Sequence, residues 1–148
     1  SDSTRTKPAT TSVTSRLQAF VSRLQKNDRT CHVYPGAKPF EQEWEVERVR
    51  MTRWLGKLPK PVAIFAANDM RARQVLDACL RADIRVPYEA AVLGVDNDPL
   101  ICETCIPSLS SIRLDVEAAG YVAAELLDKR MFGGRDTRRE TRIYPCRP

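Results

Sequence analysis

Apolar positions along the chain follow two spacings, and the two alternate. Val13, Leu17, Phe20, Val21 and Leu24 recur at i, i+4, i+7, i+8 and i+11, one stripe of a helix. The run RTCHVYPG (29–36) predicts a short strand ended by Pro35 and Gly36. Phe40, Trp44, Met51, Leu55 and Leu58 then share a helical face with Glu and Arg between them, and Pro59 and Pro61 close that helix. VAIFAAND (62–69) is a continuous apolar run, the pattern of a strand buried on both faces. Asn68 or Asp69 can cap the helix after it, striped by Ala72, Val75, Leu76, Cys79 and Ala82. AAVLGVDND (90–98) repeats the theme of greasy strand and polar edge. A short turn or helix carries the chain to Pro107, and LSSIRL (109–114) predicts a brief strand. Asp115 can cap a last helix striped by Val116, Ala119, Ala123, Leu126 and Leu127, ended by Gly133-Gly134, and TRIYP (141–145) predicts a final strand.

Helices thus alternate with strands whose onsets fall roughly 20 to 30 residues apart, the pattern of βαβ units. The fold class expected is α/β, a doubly wound, mainly parallel sheet with helices on both faces. In such sheets ligands bind outside the carboxyl ends of the strands. The endings FAAND and GVDND put Asn68 and Asp96 at that edge, on strands expected to be neighbours. A carboxamide and a carboxylate there can exchange hydrogen bonds with the hydroxyls of a polyol or sugar. The same residues equally suit a helix cap and an Asx turn over Asp96, Asn97 and Asp98. On chemistry alone both readings stand.

Composition narrows the function classes. With 148 residues, 43% of them apolar and 29% charged, the chain can bury a core and stay soluble. No run approaches the roughly 18 apolar residues of a membrane span. The start, SDSTRTKPATTSVTS, lacks the apolar core of a secretory signal and an initiating Met, as expected of a processed product or expressed fragment. Residues 1–11 are read as a tail. The net charge of +5 is spread out, and its one dense run, RDTRRETR (135–142), is diluted by Asp136 and Glu140, so solvated faces are expected rather than a nucleic-acid surface. Five cysteines, an odd number, fit a reducing compartment. Cys102-x-x-Cys105 lacks further zinc ligands, since His32 is the single histidine, and it follows an acidic turn rather than opening a helix after a strand. No metal and no cofactor are expected. Phosphate-cradling glycine loops and a GxSxG elbow are also missing.

The stretch PVAIFAANDMRARQVLDACLRADIRVPYEAAVLGVDNDPL, followed by LSSIRLDVEAAGYVAAELL, resembles the effector-binding region of lactose-repressor-type (LacI/GalR) transcriptional regulators. The likeness is nearest to bacterial xylose-operon regulators and runs from about Arg16 to Tyr144. It rests on the strand-AND-helix element, RVP before AVLGVDND, LSS and AGY. The resemblance implies the type I periplasmic-binding-protein fold, two doubly wound lobes that close on a small sugar. It further implies that Asn68 and Asp96 hydrogen-bond the sugar and that Arg16, in SRLQAF, contacts it, with Phe65 and Arg113 lining the cleft. First-lobe elements that would precede residue 1, and a helix-turn-helix, are missing from this pattern. Residues 12–148 are therefore read as a sugar-binding domain, mostly the second lobe, with the return to the first lobe from about 109.

The expectation is a pentose-sensing, non-catalytic part of a cytoplasmic, homodimeric regulator, with no membrane partner. It would reach operator DNA through a module outside this chain. A transporter's solute-binding protein is the alternative, and a metal-dependent phosphatase or isomerase using Asp96 and Asp98 is the reading from another class.

Overall fold

The computed structural model describes residues 12–36 and 44–132. Its elements are α1 (Ser12–Gln25), α2 (Trp44–Lys57), β1 (Val62–Phe65), α3 (Asp69–Arg81), β2 (Ala90–Asp96), α4 (Pro99–Cys102), β3 (Ser110–Arg113) and α5 (Val116–Met131). The strands form one parallel sheet in the order β1-β2-β3, so the two strands with polar ends are neighbours, as the sequence predicts. Val62 pairs with Ala90 and Phe65 with Leu93, while Leu93 in turn pairs with Ser110 and Asp96 with Arg113.

The caps are the ones the sequence offers. Asn68 Oδ1 accepts from the Arg71 amide, Asp98 Oδ1 from Leu100 and Asp115 Oδ1 from Ala118, each filling one of the amides that a helix start leaves without a partner. The α2 terminus before Pro59 is closed by Lys60, whose Nζ donates to the carbonyls of Leu55 (2.7 Å) and Leu58 (2.9 Å).

The core lies between α2, α3 and the sheet. Met51, Leu55 and Leu58 pack with Val75, Ala78, Cys79 and Ala90, and a second cluster joins Ala66, Ala72, Leu76, Cys102 and Leu109. Burial holds the Cys79 thiol up at about 11, as befits a cysteine used for its volume. Leu55→Ala is expected to cost about 2–5 kcal/mol, because the cavity left between two helices cannot fully collapse. Urea denaturation measures it, and a loss under about 1 kcal/mol would mean the core lies elsewhere.

One expectation needs correction, one is met only in part, and others lie outside the described residues. Residues 29–36 form no strand: the segment has no ladder neighbour among the described residues and is held by packing, with Tyr34 edge-on to Trp54 at 5.1 Å. Two-residue alternation cannot distinguish such an extended segment from a strand. Coverage of both sheet faces is also incomplete among the described residues. Leu93 and Ile112, on the face away from α3, stay 37% and 39% exposed, and α5 buries none of its residues although its apolar stripe is present. Phe40, Gly133-Gly134, the strand at 141–145 and the tail at 1–11 lie outside the described residues. Among the described residues no helix is long and apolar enough to cross a membrane.

Candidate functional site

The carboxyl ends of the three strands bring most of the sequence-predicted residues together. β1 runs out through Ala66 and Ala67 into Asn68, and β2 ends on Asp96. Asp96 and Asn97 hold positive φ angles of 111° and 56°, so the chain turns sharply at the strand's last residue. Two consecutive non-glycine residues in this region cost on the order of 1–3 kcal/mol each unless the surroundings hold them.

α1 lies across this edge. Arg16 Nη1 donates to the Ala67 carbonyl at 2.6 Å, and its Nη2 stands 3.8 Å from Asp96 Oδ1. Four residues on, Phe20 stacks on Phe65 with ring centroids 4.8 Å apart. Arg16, Phe65, Asn68 and Asp96 therefore meet at one place, although Arg16 is 51 residues from Ala67 in the chain. Arg113 stands beside Asp96 by strand register and is exposed.

The electrostatics leave this edge open to a ligand. The Arg16 and Asp96 side chains are 27% and 46% exposed, so their ion pair is worth at most about 1 kcal/mol and can be shared with an incoming polar group. Asn68 spends its oxygen on the cap of α3, which fixes the carboxamide and leaves its NH2 donors to offer. The cap reading and the anchor reading of Asn68 are thus compatible. A guanidinium, a carboxylate, amide donors and an aromatic ring make a set that can exchange hydrogen bonds with several hydroxyls beside an apolar wall. Surface hollows along α5 (Asp115, Glu117, Ala118, Tyr121, Val122) and between α2 and α3 (Arg48, Val49, Thr52, Arg53, Arg81) do not touch this edge.

Helix α3 is steadied from the far side as well. Arg71, whose amide Asn68 caps, donates from Nη1 to the buried Glu47 at 3.2 Å. Burial and then the negative charge of Glu47 push the Tyr34 phenol up to about 12. Removing the cap with Asn68→Ala should cost about 1 kcal/mol, and Asn68→Asp, which keeps an acceptor, a few tenths. Thermal unfolding checks this, and equal losses would contradict the cap.

Sequence reasoning missed Asp69 as anything more than a cap. It is 1% exposed, and Oδ2 accepts from the Asp98 amide at 2.8 Å and from the Cys102 thiol at 3.6 Å. Oδ1 accepts from the Ser111 hydroxyl. One signal was present: Asp69 lies in register with Ala72, Leu76 and Cys79, a carboxylate on the apolar stripe of its helix. Burial and the Asp69 charge push the Cys102 thiol up, and burial pushes up Cys105, which favours the S–H form of both.

Residues 4–148 match the family of periplasmic binding protein-like domains. The chain is similar to the xylose operon regulatory protein of Haemophilus influenzae, 39% identical over 118 residues, which are 80% of this chain and 30% of that protein. It is also similar to the crystal structure of a periplasmic binding protein/LacI transcriptional regulator from Alkaliphilus metalliredigens complexed with D-xylulofuranose. There the TM-score is 0.67 at 25% identity, covering 82% of this chain and 44% of that one. A third similarity is to a xylose-binding transcription activator, with a TM-score of 0.71 at 26% identity, covering 89% of this chain and 35% of that one.

Proposed function

Because the chain belongs to the family of periplasmic binding protein-like domains, we propose that it senses a sugar, a pentose such as xylose, for a bacterial transcriptional regulator of the lactose-repressor type. The observation that carries this reading is the convergence of Arg16, Asn68 and Asp96 at the carboxyl edge of a parallel sheet. Asp96 accepts from sugar hydroxyls, Arg16 and the Asn68 amide donate to them, Phe65 walls one side, and Arg113 reaches in from β3. These contacts serve recognition rather than catalysis.

Residues 12–148 act as the sugar-binding domain, mostly its second lobe, with the return towards the first lobe starting at about residue 109. Residues 110–113 pair with β2 in this sheet. The other wall of the cleft comes from the part of the relatives' length that this chain does not span. A ligand held between two walls binds the closed form better than the open one, and that difference in affinity shifts the population towards closure. Closure alters the spacing of DNA-binding modules in a cytoplasmic homodimer on operator DNA. The relatives are regulators in name, which gives no support to a transporter's solute-binding protein.

The test is titration of the complete reading frame containing this chain with D-xylose, L-arabinose, D-glucose and glycerol, read by tryptophan fluorescence and thermal shift. A saturable response to a pentose, with none to glycerol, is expected. Indifference to every sugar would overturn the reading.

A further inference from the structure

We propose that Asp69 is a positioning residue for the sugar site, which rests on the reading of Asp96 as a sugar ligand. The turn that aims Asp96 holds two consecutive residues at positive φ, and its next two amides are both fastened to one buried carboxylate. The Asp98 amide donates directly to Asp69 Oδ2 at 2.8 Å. The Asn97 amide donates to Ser111 Oγ at 3.1 Å, and that hydroxyl donates to Asp69 Oδ1. Cys102 adds its thiol to Oδ2. A single side chain from the start of α3 therefore ties the turn after β2 to Ser111 within β3 and to Cys102 at the end of α4. Gly94 leaves the space for it, since a Cβ there would lie 2.3 Å from Asp69 Oδ1.

A buried carboxylate with three donors is expensive to disturb, because each donor left without its acceptor keeps the cost of having lost water. Without Asp69 the Asp98 amide is released and the Ser111 hydroxyl that holds the Asn97 amide loses its anchor, so the strained turn relaxes to ordinary φ angles. The Asp96 carboxylate then swings away from Arg16. Asp69 never touches the sugar; it acts through the backbone that carries Asp96.

A double-mutant cycle on the complete reading frame, with D-xylose affinity measured by calorimetry, tests this. Asp69→Asn keeps the shape but puts an amide where one carboxylate oxygen accepted, and is expected to weaken binding about tenfold. In an Asp96→Asn background the same change should cost less than about threefold, since the group it positions is already impaired. Ser111→Ala, which releases only the Asn97 amide, should follow the same pattern at about threefold and then nothing, and it decides the matter if Asp69→Asn does not fold. Equal losses in both backgrounds would show general structural damage and overturn the proposal. If Asp96→Asn alone leaves affinity unchanged, the reading of the site itself fails and takes the proposal with it.

Discussion

Asp96→Ala is expected to lower affinity for D-xylose at least about 100-fold while costing about 1 kcal/mol of stability. The first figure follows from losing a carboxylate that accepts from two hydroxyls, where each hydrogen bond to a charged group is worth roughly 1.5–3 kcal/mol. The second follows from the φ of 111° at this position, which alanine adopts less readily than aspartate, while the 3.8 Å ion pair with Arg16, with Asp96 46% exposed, adds little to folding. Asp96→Asn separates chemistry from backbone. Asn tolerates the positive φ of this position, so the strand end keeps its turn while the charge is lost, and an intermediate loss of about tenfold is expected. Calorimetric titration with parallel urea denaturation gives both numbers. Equal affinity for Asp96→Ala and the parent would remove this residue from the site.

The second large effect is expected at Gly94. A methyl group there meets Asp69 Oδ1 at 2.3 Å and the side chains of Ala72 and Leu109 at 3.3 Å. The carboxylate cannot step aside without abandoning its bonds to Asp98, Ser111 and Cys102. Overpacking usually costs about 1–3 kcal/mol, and here it also strips a buried charge of its donors, so at least about 3 kcal/mol is expected for Gly94→Ala. Gly120→Ala is the control: it lies inside α5 with nothing within 4 Å, and alanine there should stabilise by roughly 0.5–1 kcal/mol. Urea midpoints moving in opposite directions would support this account of Gly94, and a neutral Gly94→Ala would refute it.

The contrast between what was and was not legible in the chain has a physical basis. β1, α3, β2 and α5 announce themselves because local chemistry defines them: apolar runs set the strands, and Asn68, Asp98 and Asp115 mark helix starts with side chains that cap. The shared polar endings of β1 and β2 carried further, to their adjacency in the sheet. Residues 29–36 misled because an extended segment becomes a strand only when a neighbour offers its ladder, and a sequence does not display the neighbour. Arg16 was reached through family resemblance alone. Nothing local to SRLQAF says that this guanidinium crosses to Ala67 and Asp96, and Phe20, a stripe residue by its spacing, turned out to stack on Phe65. Asp69 hid behind a commoner role, since an acid at a helix start is ordinarily read as its cap. Its place on the apolar stripe was the clue, and the three donors from distant segments were the part that only the fold could reveal.

A structure of the complete protein with D-xylose bound tests the central claim most directly. Sugar hydroxyls are expected within about 2.7–3.2 Å of Asp96, of the Asn68 amide and of the Arg16 guanidinium, with Asp69 still holding the turn beneath them. Sugar bound away from the ends of β1 and β2, or touching none of those three side chains, would contradict it.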